Sequence, residues 1–456
     1  MTEFDVIVMG AGPAGEVAAG RLAEAGLEVA VVEEHLVGGE CSFYACMPSK
    51  ALLRPAEALA EARRTHGARE AATGQLDTGS ALRYRNRIVN DLDDSQQTPW
   101  LDARGIRLVR GRARLDGERT VRVGDETLTA RRAVIVATGS DAAIPPVDGL
   151  SEARPWTNRE ATTARQVPGR LFVLGGGVVG CELAQAWQTL GAKVTLVEPG
   201  PRLLSREEPF AAEEVEAGLR ARGVDVRVEQ SVARVERNGS GAVGVHLDGG
   251  EVVTADELLV AAGRTPRTTD IGLETVGLEP GTPIRTDVHL CAEGAQPWLY
   301  AIGDCNGRAL LTHQGKYQGR IAADHLLGRF NTSIVYGGPL SPRVVFTEPQ
   351  VAAVGHTLAS AHQAGIDARA VDADVNATAG SAFVGGGVPG KARIVVDENR
   401  RVLVGATFTG AEVSDFVHAA TIAIVGDVAI DRLWHAVPSF PTRSEVWLKL
   451  LEEYGL

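Results

Sequence analysis

Apolar runs and glycine-rich turns alternate along this chain in an order that occurs twice. Phe4-Asp-Val-Ile-Val-Met9 has the near-continuous apolar pattern of a buried parallel strand. It runs into Gly10-Ala-Gly12-Pro13-Ala14-Gly15 and an Ala-rich stretch that predicts a helix ending near Gly26, and Val29-Ala-Val-Val32 then predicts a second strand closed by Glu33. The order returns at Leu171-Phe-Val-Leu174, followed by Gly175-Gly-Gly177-Val-Val179-Gly180, a helix through Leu190, and the strand Val194-Thr-Leu-Val197 with Glu198 at its end. In both units the acid stands 23 positions after the first glycine, Gly10 to Glu33 and Gly175 to Glu198. Later apolar strands echo each unit, Ala133-Val-Ile-Val-Ala137-Thr138-Gly139 and Glu257-Leu-Leu-Val-Ala-Ala-Gly263, and Trp298-Leu-Tyr-Ala-Ile302-Gly303-Asp304 ends in an acid.

Strand, glycines, helix, strand and acid in that order form the dinucleotide-binding fingerprint. Gly10 makes the turn, Gly12 lets a pyrophosphate approach the helix N-terminus, Gly15 allows close helix packing, and Glu33 is placed for ribose hydroxyls. Two fingerprints imply two dinucleotides, each held by its own domain. The fold class expected is therefore α/β, with two Rossmann-like dinucleotide-binding domains. A carboxylate at Glu198 accepts hydrogen bonds from an adenosine ribose but repels a 2'-phosphate, so the second site should prefer NADH over NADPH; Arg202, four residues on, works against that preference.

Between these landmarks lies Gly38-Gly39-Glu-Cys41-Ser-Phe-Tyr-Ala-Cys46-Met-Pro-Ser-Lys50. Four residues between two cysteines do not fit zinc knuckles or thioredoxin-like sites, but they allow a small, readily reduced disulfide loop suited to electron transfer. Pro48 marks a helix start just after Cys46, and a helix N-terminus favours a thiolate. Cys181, Cys291 and Cys305 lack a neighbouring thiol in sequence and read as packing residues.

At 456 residues, with 44% hydrophobic and 23% charged positions, the chain has room for about three domains. Its formal net charge of -12 excludes a nucleic-acid or anionic-membrane partner. No apolar run reaches membrane-helix length, and the start leads directly into a strand without a secretory pattern, so a cytoplasmic protein with no membrane partner is expected. No metal-ligand cluster is evident.

Taken together, these motifs resemble the pyridine nucleotide-disulfide oxidoreductases of the dihydrolipoamide dehydrogenase, glutathione reductase and mercuric reductase type, over essentially the whole chain. The resemblance implies FAD on Gly10, Gly12, Pro13, Ala14, Gly15, Glu33, Glu34, Gly39, Thr138, Gly139, Gly303 and Asp304. It implies NAD on Gly175, Gly177, Val179, Gly180, Glu198 and Gly263. Cys41 and Cys46 would be the redox-active disulfide, with Cys46 towards the flavin and Cys41 for interchange, and Lys50 would pair with Glu182 beside the flavin. An FAD domain would comprise residues 1–150 and 265–330, an NAD domain 151–264, and a C-terminal α+β dimerisation domain 331–456. A homodimer with FAD and NAD, reducing a small-molecule electron acceptor, is expected.

The resemblance breaks near the C-terminus. The family's His-Pro segment, with Glu five residues after the histidine, supplies an acid/base from the partner subunit. Here the segment is Ser439-Phe440-Pro441-Thr442-Arg-Ser-Glu445, so Phe440 stands at the histidine position and Glu445 survives without an imidazole to orient. Loss of a general acid/base costs ~100 to 10,000-fold. His435 lies five residues too early and reads as a helix or surface histidine. A quinone, a dye or a metal ion therefore rivals a disulfide as acceptor, and a flavoprotein that senses NAD without turnover is the reading from another class. The mercuric reductases and soluble transhydrogenases also carry an aromatic residue at that point. This chain, however, lacks the terminal cysteine pair of the former and keeps both redox cysteines, one of which the latter lack.

Overall fold

The computed structural model describes residues 2–239, 241–329, 333–384 and 388–456. They form two compact units, the first from Met1–Pro48, Asn86–Ala142 and Arg264–Ser341, the second from Ser49–Arg85, Ala143–Gly263 and Pro342–Leu456. This partition is coarser than the three domains expected from the sequence, and it assigns residues 49–85 to the second unit.

The first unit is organised by a parallel core. Strand Thr2–Met9 lies between Val29–Glu33 and Glu126–Val136, and Arg107–Arg110 pairs with the outer side of Val29–Glu33. Glu126–Val136 is long enough to serve two neighbours along its other edge: its first half pairs antiparallel with Thr120–Val123, its second half parallel with Leu299–Ala301. Alternate residues of the central strands feed two cores: Ile7, Met9 and Val134 on one face, Val6, Val8 and Ile135 on the other. Burial on both faces is the reason these strands read as unbroken apolar runs. Helix Pro13–Glu24 packs on the second face, and helix Thr312–Leu326 closes over it. The two helices approach to backbone contact because Gly315 and Gly319 leave room. A Cβ on Gly315 would lie 3.2 Å from the Ala14 Cβ, and one on Gly319 2.7 Å from the Ala14 carbonyl oxygen.

The second unit repeats the parallel arrangement in smaller form, with strand order Asp225–Val228, Lys193–Glu198, Arg170–Leu174, Glu257–Val260. Helix Val178–Thr189 is buried along most of its length, and Trp187 is among the largest fully buried side chains. A three-stranded antiparallel sheet, Val232–Arg237, Val243–Leu247 and Val252–Ala255, lies in the chain between strands Asp225–Val228 and Glu257–Val260. The C-terminal part is a five-stranded antiparallel sheet, ordered Arg343–Val345, Gln350–Gly355, Val402–Gly410, Lys391–Asp397, Ala368–Asp374. Helices Phe416–Val425 and Val446–Tyr454 meet this sheet through Phe408, whose ring lies 5.7 Å from both Phe416 and Trp447. Ile422, Val425, Trp434, Val437 and Phe440 remain exposed in this region, Val437 at 85% and Phe440 at 77%. Among the described residues no helix is long and apolar enough to cross a membrane. The α/β class with Rossmann-like units and a C-terminal α+β domain agrees with the sequence expectation.

Candidate functional site

Each glycine loop is built around positions where no side chain fits. At Gly10 (φ +108) a Cβ would sit 2.4 Å from the Ala137 carbonyl oxygen; at Gly175 (φ +111), 2.5 Å from that of Ala261. Gly15 and Gly180 press on the loops themselves, at 2.0 Å from the Gly10 oxygen and 1.9 Å from the Gly175 oxygen. Gly12 and Gly177, by contrast, have nothing within 4 Å of a built Cβ, so each loop presents open space ahead of a helix N-terminus. Glu33 accepts the Ala11 N–H at 2.8 Å and the His35 N–H at 2.8 Å. Glu198 accepts the corresponding Gly176 and Gly200 N–H groups at 2.6 and 2.8 Å. Open space ahead of the helix and a fixed carboxylate suit an adenosine dinucleotide in both places.

The first loop is completed by neighbours from the rest of its unit. Gly39 (φ +56) approaches Gly12, where a Cβ would lie 2.9 Å from the Gly12 Cα, and the Gly38 N–H donates to the Ala11 oxygen at 2.8 Å. Pro13 and Ala14 open helix Pro13–Glu24, and exposed Glu34 follows the acid. Thr138 donates its hydroxyl to the Arg267 carbonyl at 2.7 Å, and the Arg267 N–H donates to Gly139 oxygen at 3.0 Å. Asp304 follows strand Leu299–Ala301 in a single 3-10 turn, and its carboxylate accepts the Ser140 hydroxyl at 2.5 Å. Burial raises the Asp304 pKa, while Ser140 and Arg264 oppose the shift. Ser140 and Arg264 are partners that sequence spacing did not single out.

The thiol pair adjoins this crevice in the same unit. Cys41 lies in the short helix Gly39–Phe43 and Cys46 opens helix Cys46–Arg64, so one turn of chain folds the two sulfurs together. Both are half-buried thiols, and a hydrogen bond links them. The Thr312 hydroxyl lies 3.3 Å from the Cys46 sulfur. The Cys46 hydrogen bond and burial push the Cys41 thiol up; the Thr312 hydroxyl and the Lys316 charge pull it down. Cys181 and Cys305 are wholly buried with thiols pushed up by desolvation, and Cys291 is buried beside Tyr300, which places all three in packing roles.

In the second unit Lys50 and Glu182, 132 residues apart, meet at 2.7 Å. Glu182 is 3% exposed, and its other oxygen accepts the Phe346 N–H at 3.0 Å. The Lys50 ammonium stands over the Phe346 ring at 4.8 Å. Val179 follows Val178 at the head of the helix, 38% and 41% exposed, and Gly263 receives the Ala143 N–H at 2.9 Å. Arg202 donates to the Ser205 carbonyl at 2.9 Å and, more weakly, to that of Glu207 at 3.4 Å. Phe440 is exposed, His435 is exposed, and the Glu445 Oε2 is buried with no hydrogen-bond partner in the described residues. No group of three or more His, Cys, Asp or Glu suited to a metal ion occurs among the described residues.

Two family models match the chain: pyridine nucleotide-disulphide oxidoreductase over residues 4–319, and the dimerisation domain of the same family over residues 341–451. A dihydrolipoyl dehydrogenase of Thermus scotoductus is 32% identical over 464 residues, covering 99% of this chain and 97% of that protein. A mercuric reductase of Staphylococcus aureus is 29% identical, covering 97% of this chain and 81% of that one. Among solved structures, the Cu(II) complex of the HOCl-induced flavoprotein disulfide reductase RclA from Escherichia coli superposes with a TM-score of 0.84 at 25% identity, covering 99% of both chains.

Proposed function

Because the chain belongs to the pyridine nucleotide-disulphide oxidoreductase family, we propose that it is a homodimeric FAD enzyme that carries electrons from NADH to the Cys41/Cys46 pair and on to an acceptor that needs no protonated leaving thiol. The observation that carries this reading is the C-terminal segment: Phe440, which the sequence aligns with the family's acid/base, is 77% exposed, and the buried Glu445 Oε2 has no hydrogen-bond partner among the described residues. FAD, when bound, supplies the two-electron relay between the nicotinamide and the thiols. The protein's own residues do the rest. Cys46 sits at a helix start with the Thr312 hydroxyl beside its sulfur, two features that stabilise a thiolate there. Cys41 is the sulfur left for the acceptor. Glu182 holds the Lys50 ammonium in place through an ion pair in which the carboxylate is buried and the lysine partly exposed.

Quinones take electrons without expelling a thiolate, so they need no imidazole at position 440. A soft metal ion is the second reading, supported by the relatives named mercuric reductase and by the Cu(II) complex of RclA. The exposed apolar side chains Ile422, Val425, Trp434 and Val437, within the part matched by the dimerisation model, support a second copy of the chain as their cover. Sedimentation of an active monomer would contradict the dimer.

The test is rapid-mixing re-oxidation of NADH-reduced protein by a quinone, by Cu(II) and by lipoamide. Quinone or Cu(II) should re-oxidise it readily and lipoamide slowly, and Phe440→His should raise lipoamide turnover by about 100-fold as Glu445 gains an imidazole to orient. Wild-type lipoamide turnover equal to that of a dihydrolipoyl dehydrogenase overturns the reading. Stable reduced flavin with every acceptor would instead favour the NAD sensor.

A further inference from the structure

Helix Thr312–Leu326 has two unlike faces. Gly315 and Gly319 press on Ala14 and Ala18, and Gln314 and Gln318 are buried beside them in sequence. His313, Lys316 and Arg320, at spacings of three and four, are exposed along the other side. Thr312 anchors this exposed edge at the thiol pair, since its hydroxyl lies 3.3 Å from the Cys46 sulfur. Lys316 and Arg320 follow at one and two turns, about 6 and about 12 Å along the helix from that contact. The Cys46 hydrogen bond and burial push the Cys41 thiol up, and the Lys316 charge acts against them, so the lysine is felt at the sulfur.

These cations stand in a chain of net charge -12. Elsewhere in the same unit arginines are held by acids, Arg21 and Arg329 by Asp324 and Arg267 by Asp141. Neither Lys316 nor Arg320 forms an ion pair among the described residues, and the Arg320 guanidinium lies 5.8 Å over the Tyr317 ring. Like charges four apart repel, so the pair weakens the helix that carries it. The acid that acts on Lys316 is half-buried Glu16, whose carboxyl burial pushes up to about 7, so it offsets the lysine only in part at neutral pH. Apolar side chains are exposed at the same end: Met47, next to Cys46, at 48%, and Leu310, two residues before Thr312, at 44%.

We propose that the acceptor is an anionic quinone, an apolar ring bearing a sulfonate or carboxylate, and that Lys316 and Arg320 bind its charge. The inference deepens the quinone reading of the proposed function and rests on it. Closing the Cys41–Cys46 bond releases two electrons and two thiol protons, which convert the quinone to its hydroquinone. A free metal cation is repelled by the same edge, which separates this class from the metal-ion reading.

The experiment is rapid-mixing re-oxidation of the NADH-reduced holoenzyme by a naphthoquinone sulfonate and by its uncharged parent naphthoquinone. The ratio of second-order rate constants, sulfonate over parent, cancels any change at the sulfurs themselves. Raising salt from about 20 to about 500 mM should lower that ratio about tenfold in wild type. Lys316→Met and Arg320→Met should each lower it about fivefold at low salt, and Lys316→Glu should lower it further. Lys449→Met, which removes a cation paired with Glu452 in the C-terminal part, should leave it unchanged. A ratio indifferent to salt or to both methionine substitutions, or one that falls as much in Lys449→Met as in Lys316→Met, overturns this inference alone. Re-oxidation by Cu(II) or lipoamide but by neither quinone removes the quinone reading on which it rests.

Discussion

The two glycine loops share their steric plan and differ in what surrounds them. In the first, helix Thr312–Leu326 closes over the loop helix, Gly39 packs on Gly12, and the thiol pair is attached. In the second, Val178 and Val179 stand exposed at the head of the helix, no thiol pair follows, and the lone Cys181 is wholly buried with its sulfur 3.3 Å from the Gly176 carbonyl. A loop covered by its own unit suits a cofactor that stays; an open one suits a cofactor that comes and goes. On the proposed function, the same local sequence would serve residence or exchange according to what packs against it.

The largest effect should separate the thiols. Cys46→Ser should abolish the long-wavelength thiolate-to-flavin absorbance that NADH titration produces and cut acceptor turnover by on the order of 10,000-fold. Cys181→Ala should leave both intact, at a stability cost of about 1 kcal/mol for the small cavity. Absorbance that survives in Cys46→Ser would reverse the assignment of the flavin-facing sulfur.

Next come the third glycines. Overpacking against backbone costs ~1–3 kcal/mol, equivalent to about 5- to 150-fold in affinity. Gly15→Ala should yield colourless protein, whereas Gly180→Ala should stay yellow and accept electrons from dithionite while losing reduction by NADH. If both variants lose colour alike, the contrast between residence and exchange fails.

What the sequence made legible follows from range. The glycine loops and Glu33 and Glu198 lie within one supersecondary unit, where spacing determines geometry, so both crevices were readable from residues alone. Cys41 and Cys46 were readable because five positions of chain join them. Lys50 and Glu182 could be paired only through the family resemblance, since nothing local brings together residues 132 apart. Thr312, Lys316 and Arg264 were not identified, because their placement depends on helix packing and strand pairing across distant segments. A weak signal existed: Gly315 and Gly319, four apart, mark a helix pair in close contact.

The smallest effect concerns the two acids, which the loops hold in nearly the same way. Each carboxylate is fixed by two backbone N–H groups, so each presents a negative charge at a strand end with its geometry already set. At Glu198 that charge should oppose a 2'-phosphate. Arg202, the nearby cation in sequence, spends one guanidinium nitrogen on the Ser205 and Glu207 carbonyls rather than on Glu198. NADH should therefore be preferred, and Glu198→Arg should shift the ratio of kcat/KM for NADH over NADPH by about tenfold towards NADPH. Arginine also abandons the Gly176 and Gly200 donors, so Glu198→Gln, which keeps one acceptor oxygen and removes the charge, is the cleaner comparison and should shift the ratio in the same direction by less. Glu33→Gln should leave that ratio alone and instead weaken retention of FAD during dilution. A wild-type KM lower for NADPH than for NADH, or a Glu33→Gln variant whose nucleotide preference moves as much as that of Glu198→Gln, would erase the distinction between the two loops at their most similar point.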